Sequence, residues 1–152
     1  HNTELQIVIT GAPEAVEKVS SLAVARGAKS IPLKVSGAWH SELIKGAEEE
    51  FKACLDTADF NAPGKSILFN VTADNCNDPD EIKDTMGRQL CSPVRWYDTI
   101  KKLMENNVEV FVEVGPGRVL AGLLKKILPG DYPAEIYNVA NMKQFEKFLK
   151  EV

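Results

Sequence analysis

His40 stands in Val35-Ser36-Gly37-Ala38-Trp39-His40-Ser41, between an apolar stretch that reads as a strand and a long amphipathic stretch that reads as a helix. A histidine at such a turn combines a rigid backbone with an exposed ring, the geometry a general base needs. An unperturbed imidazole titrates near ~6.5, so it can take a hydroxyl proton at physiological pH and return it to a leaving group. It also needs a partner that fixes its tautomer and orientation. Gln89, in Gly87-Arg88-Gln89-Leu90, falls near the end of a predicted helix, where its side chain or its carbonyl could accept a hydrogen bond from the imidazole N–H. A third segment is Glu113-Val114-Gly115-Pro116-Gly117-Arg118-Val119-Leu120. Its glycines around a proline let backbones approach closely, and they leave helix N–H groups free to face an anion. It is not a phosphate loop, because the glycine spacing and the terminal Lys-Ser/Thr are absent. Taken singly, each has an ordinary structural explanation: a histidine in a turn, a solvated glutamine at a helix end, a tight turn. No Gly-x-Ser-x-Gly segment occurs in the 152 residues. The chain thus holds one half of a catalytic pair, and is either part of an enzyme or no enzyme at all.

The elements that would position these residues alternate. Residues 6–10, 30–36, 66–72, 108–114 and 135–139 read as strands. Between the first two, Pro13 opens a helix whose Val16, Val19, Leu22 and Ala23 share a face, and Gly27 stops it. After His40, residues Ile44, Ala47, Phe51, Cys54, Leu55 and Ala58 recur at helical spacing. Asp78-Pro79-Asp80-Glu81 is a helix start, with an N-cap, a proline at the first helical position and a carboxylate at the third. That helix runs to about Leu90. Ser92-Pro93 starts another, with Trp96, Ile100 and Leu103 on one face and Asn106-Asn107 at its end. Two further helices carry Val119 to Ile127 and Phe145 to Leu149. Strands separated by helices predict an α/β architecture with mainly parallel pairing. Five strands, two of them in a small leading unit, make a thin sheet, which implies missing sheet partners.

Composition narrows the field. A net charge of −4 lacks the basic footprint of nucleic-acid binding. No apolar run approaches the ~20 residues that span a bilayer, so no membrane role is expected. The three cysteines, Cys54, Cys76 and Cys91, lack metal-type spacing, and their odd number argues against a disulfide framework. They read as free thiols in a reducing cytoplasm. Cys91 paired with His40 would be another candidate nucleophile, but the adjacent Ser92-Pro93 reads as a helix cap.

In order and at these spacings, four segments resemble malonyl-CoA:acyl carrier protein transacylase. They are Val35 to Ser41, Asn70-Val71-Thr72-Ala73, Arg88-Gln89-Leu90-x-Ser92-Pro93-Val94-Arg95-Trp96, and Val112 to Leu120. Asn2 and Gln6-Ile7-Val8-Ile9-x-Gly11 extend the match to nearly the whole chain. The resemblance is to the C-terminal half of that family's enzyme. It implies a ping-pong transfer of malonyl from malonyl-CoA to the phosphopantetheine thiol of acyl carrier protein through a malonyl-serine ester. It puts the family's catalytic histidine on His40. It puts the glutamine whose backbone carbonyl orients that histidine on Gln89. The Gly-His-Ser-x-Gly segment, the arginine that clamps the malonyl carboxylate and the N-terminal glutamine of the oxyanion hole are all absent, so the chain alone is expected to be inactive.

The same resemblance implies an α/β fold: part of an α/β-hydrolase-like acyltransferase core plus half of a small ferredoxin-like subdomain. Residues 1–36 would be the second half of the small subdomain and 37–152 the C-terminal part of the larger one, with the active site in the cleft between. In the related polyketide synthase domains a bulky aromatic before the histidine goes with malonyl, and Trp39 fills that place as a substrate-binding candidate. The plainer reading of Trp39 is packing under the histidine turn. The expected partners are the N-terminal half, acyl carrier protein and malonyl-CoA, the last as a substrate, with no cofactor and no metal. Arg26, Lys29 and Lys34 are candidates for steering an acidic carrier protein. The rival class is a non-catalytic module that binds CoA or a carrier protein without turnover.

Overall fold

The computed structural model describes all 152 residues and divides them into two compact units, Val8–Arg95 and His1–Ile7 with Trp96–Val152. The first unit carries three helices: α1 (Pro13–Ala25), α2 (Lys45–Leu55) and α3 (Pro79–Arg88), with a 3-10 turn at Glu42–Ile44. Local chemistry sets their ends. Pro13 begins α1. Gly27, at φ 88°, ends it in a Schellman turn, with Gly27 N–H donating to Val24 O and Ala28 N–H to Ala23 O. The Asp78 carboxylate caps α3 by accepting from the N–H groups of Asp80 (3.0 Å) and Glu81 (2.9 Å). Leu55, Ala73, Ile82, Thr85, Gly87 and Cys91 are the buried residues of this unit. Residues 92–95 are tied to the 66–75 turn, where Arg95 N–H donates to Asn70 O and the Arg95 guanidinium to Thr72 O.

The second unit contains α4 (Trp96–Glu105), β1 (Val110–Val114), α5 (Val119–Ile127), β2 (Glu135–Val139) and α6 (Met142–Glu151). Strands β1 and β2 pair in parallel, Val110 opposite Glu135 through Val114 opposite Val139, with α5 as the crossover. Helix α4 ends in a second Schellman turn, made by Asn107 at φ 55°, with Val108 N–H donating to Leu103 O. Thr99, Ile100, Ala121, Leu123 and Leu124 form the core of this unit.

Three of the five expected strands form no ladder. Residues 6–10, 30–36 and 66–72 have only single-residue bridges nearby, Thr3 with Gln6 and Leu68 with Asn75. The physical reason is pairing: a strand is held by the N–H and C=O groups of a neighbour along its length, and beyond these single bridges none of the three is paired into a ladder. The apolar side chains of 6–10 and 30–36 are correspondingly bare, with Ile7 at 66%, Ile31 at 65% and Val35 at 63% exposure, whereas Leu68, Phe69 and Val71 are half-buried. Helix α1 likewise buries none of its residues, although Val19 and Leu22 share its apolar face. No helix is long and apolar enough to cross a membrane.

Candidate active site

The His40 turn is built by its neighbours. His40 has φ 62°, a left-handed backbone that costs a non-glycine residue on the order of 1–3 kcal/mol and persists only where surrounding contacts impose it. Here those contacts are visible. The His40 N–H donates to Leu90 O at 3.0 Å. Ser41 ties both sides of the turn, its hydroxyl donating to Ala38 O at 2.7 Å and accepting from Leu43 N–H at 3.3 Å. The ring is then fixed by Gln89, whose main-chain oxygen lies 3.0 Å from His40 Nδ1. A carbonyl oxygen only accepts, so this contact places the ring proton on Nδ1 and leaves Nε2 as the proton acceptor. Both carbonyls belong to the turn that finishes α3, where Gln89 N–H donates to Met86 O and Cys91 N–H to Arg88 O. The predicted pair of His40 and Gln89 is therefore brought together, through the main chain of Gln89. Ser41 and Leu90 complete the arrangement. The hydroxyl directly after the histidine, a residue type that caps and turns use, was the signal available for Ser41.

Trp39 is half-exposed, and its indole lies against Gly37, 3.6 Å from where a Cβ on that glycine would stand. It packs on the backbone leading into the histidine turn while keeping one face to solvent. Cys91 is buried. Burial, and then the neighbouring Glu48 carboxylate, pushes its thiol above the ordinary value. That favours the protonated thiol, a poor nucleophile, and counts against a Cys91–His40 dyad.

The third predicted segment departs from expectation. Gly115 and Gly117 take φ of 135° and 92°, which explains glycine at both positions. The N–H groups at the start of α5 do face an anion, but the anion is the chain's own. The carboxylate of Glu113 accepts from Leu120 N–H (3.1 Å) and Ala121 N–H (2.9 Å). The Asn138 amide closes the turn by donating to Gly117 O at 2.8 Å. The segment is thus an internally capped junction, with those donors already taken.

Concavities of about 300 and 200 Å3 lie in the other unit, around Arg118 and Phe148 and around Trp96 and Leu124, and His40 lines neither. No cluster of three or more histidine, cysteine, aspartate or glutamate residues has the arrangement to hold a metal ion.

No protein-family model matches the chain. It is 46% identical over 123 residues to the malonyl CoA-acyl carrier protein transacylase of Bacillus subtilis, covering 80% of this chain and 39% of that protein. It is 41% identical over 150 residues to the protein of the same name from Haemophilus influenzae, covering 97% of this chain and 48% of that one. Among solved structures, MCAT from Streptococcus pneumoniae superposes with a TM-score of 0.88 at 34% identity, over 99% of this chain and 48% of that one. A malonyl-transacylase solved in complex with its type II PKS acyl-carrier protein gives 0.83 at 32% identity, over 93% of this chain and 45% of that one. The fold is accordingly the α/β acyltransferase fold of these relatives, and the chain spans about half their length. The chain is homologous to the malonyl CoA-acyl carrier protein transacylases, over 80–97% of its own length and less than half of theirs.

Proposed function

We propose that this chain carries the general base of an [acyl-carrier-protein] S-malonyltransferase, and that the nucleophilic serine comes from the N-terminal half of the same enzyme. The observation that carries this reading is the His40 Nδ1 contact to the Gln89 carbonyl, which leaves Nε2 as the acceptor. In the forward half-reaction Nε2 takes the serine hydroxyl proton as the serine oxygen attacks the thioester carbonyl of malonyl-CoA. The thiolate of CoA leaves and takes that proton from the imidazolium, and malonyl-serine remains. In the second half-reaction the carrier protein's thiol gives its proton to Nε2 and attacks the ester, and the serine oxygen is reprotonated. Throughout, the Gln89 carbonyl holds the Nδ1 proton and so keeps the ring in register, the role an aspartate has in a serine triad.

Two features of this chain support a complementary segment. Apolar stretches at 6–10 and 30–36 have no ladder partner. One face of β1 is also bare, with Val110, Val112 and Val114 all exposed, although a parallel sheet needs cover on both faces. The subdomain assignment of 1–36 and 37–152 fits this reading, with the two bare stretches falling in the small subdomain. Trp39, half-exposed beside the base, would narrow the acyl pocket against an α-methyl group, a discrimination worth about 1–3 kcal/mol. On this reading the transfer serves fatty-acid synthesis in the cytoplasm.

The test is mass spectrometry after incubation with malonyl-CoA. The 152-residue chain alone should form no adduct. Supplied with the N-terminal half, the mixture should show a malonyl ester on a serine of that half, discharged by the carrier protein. Tight binding of CoA or carrier protein with no ester in the mixture would instead establish a binding module.

A further inference from the structure

Helices α2 and α3 run antiparallel, with Lys52 against Gly87 and, four residues back on one and four on along the other, Glu48 against Cys91. Gly87 is buried in the last turn of α3, two residues before Gln89. A Cβ on Gly87 would stand 2.7 Å from Cγ and 2.6 Å from Cε of Lys52. Separations under 3.0 Å are not tolerated by packed carbons, and Cγ, near the root of the side chain, has little freedom to withdraw. The Lys52 stem therefore fills the notch left by the missing side chain. Its ammonium is pinned from both helices, 2.8 Å from Glu48 on α2 and 3.7 Å from Asp84 on α3. Asp84 in turn holds the last turn of α3 through Arg88 Nε at 2.7 Å.

The consequence reaches the imidazole. The chain leaves His40, turns through Ser41 and enters α2. Helix α3 ends by presenting the Gln89 and Leu90 carbonyls to His40. The spacing of α2 and α3 thus bears on how far the imidazole stands from the oxygen that orients it, and the Lys52–Gly87 contact is where the two helices approach with no room to spare, beside the Lys83–Asp56 ion pair at 3.3 Å. We propose that Lys52, seated in the Gly87 notch, is a positioning residue for His40. The inference rests on His40 being the general base, and it adds a reason for a glycine in a helix, where glycine is otherwise unfavourable.

The test reads the ring directly. In the 15N-labelled 152-residue chain, the His40 Nδ1 proton should give a signal shifted downfield by its hydrogen bond to Gln89. Gly87→Ala should displace or broaden that signal. Acylation by malonyl-CoA in the enzyme assembled with its N-terminal half should slow by about 10- to 100-fold, with KM changed far less than kcat. The double variant Gly87→Ala/Lys52→Ala should recover most of both, because the new methyl occupies space the stem has vacated. If Gly87→Ala alone fails to fold, Lys52→Met and Lys52→Ala carry the test: Met keeps the stem and the signal, and Ala loses both. An unmoved ring signal in Gly87→Ala, a folded double variant that fails to recover, or Met and Ala behaving alike would overturn the proposal. The ring signal needs no turnover, so a wild-type protein that transfers no malonyl would sink the enzymatic reading and leave this test standing.

Discussion

His40 Nδ1 and the main-chain oxygen of Gln89 lie 3.0 Å apart, although the two residues are 49 positions apart in sequence. The backbone N–H of the same histidine donates to the next carbonyl, that of Leu90. Two consecutive carbonyls at the end of α3 thus hold one residue, by ring and by main chain. That double hold accounts for the left-handed backbone of His40, and under the proposed function it gives the imidazole an orienting acceptor without an acidic side chain.

Because the acceptor is a main-chain atom, the side chain of Gln89 is dispensable to it. Gln89→Ala should slow malonyl transfer by only a few-fold, far less than loss of the histidine. Steady-state rates at saturating malonyl-CoA check this, and a loss beyond about 100-fold would mean that the glutamine amide itself acts on substrate or ring.

Glu113 caps α5 from the preceding strand. Glu113→Ala removes an acceptor for two helix N–H groups and a negative charge from the helix N-terminus, and should destabilise the second unit by about 1–2 kcal/mol. Glu113→Gln keeps one acceptor oxygen and should lose less. Denaturant midpoints at unchanged slope measure both, and an Ala variant as stable as wild type would refute the cap.

Glu48 makes stability depend on acid. Its hydrogen bond to Lys52 holds the carboxyl below the usual range, with burial opposing and the Cys91 thiol assisting. A carboxyl lowered on folding contributes stability that is fully present above its unfolded value, about 4.3, and is lost as pH falls through its folded value. Glu48→Gln should therefore be less stable than wild type at pH 7, with the gap closing below about pH 4. Thermal melts across that range decide, and a gap that widens in acid would reverse the sign.

Much of this was legible in the sequence where the determinant is local. Gly27 and Asn107 end their helices by adopting positive φ, and Asp78-Pro79 starts α3, because each acts within a few residues of itself. The parallel pairing of β1 and β2 was legible too, since a helix-length crossover forces it. The stretches at 6–10 and 30–36 have strand composition, but a ladder depends on what lies alongside, which composition does not encode. At the site, the order and spacing of the segments around His40 and Gln89 pointed to the pair. That the carbonyl of Gln89 accepts, as the family resemblance implied, is decided by where α3 stops. The capping of α5 by Glu113 was hidden because the partners are seven and eight residues apart across a turn. The Lys52–Gly87 contact was hidden because nothing in either helix alone records the distance between them.

The most direct test of the account is the acylation rate of His40→Ala in the enzyme assembled from this chain and its N-terminal half, measured in a single turnover with malonyl-CoA. With His40 as the base that takes the serine proton, acylation should fall by about 100- to 10,000-fold while malonyl-CoA affinity holds. A variant that acylates within about tenfold of wild type would contradict it.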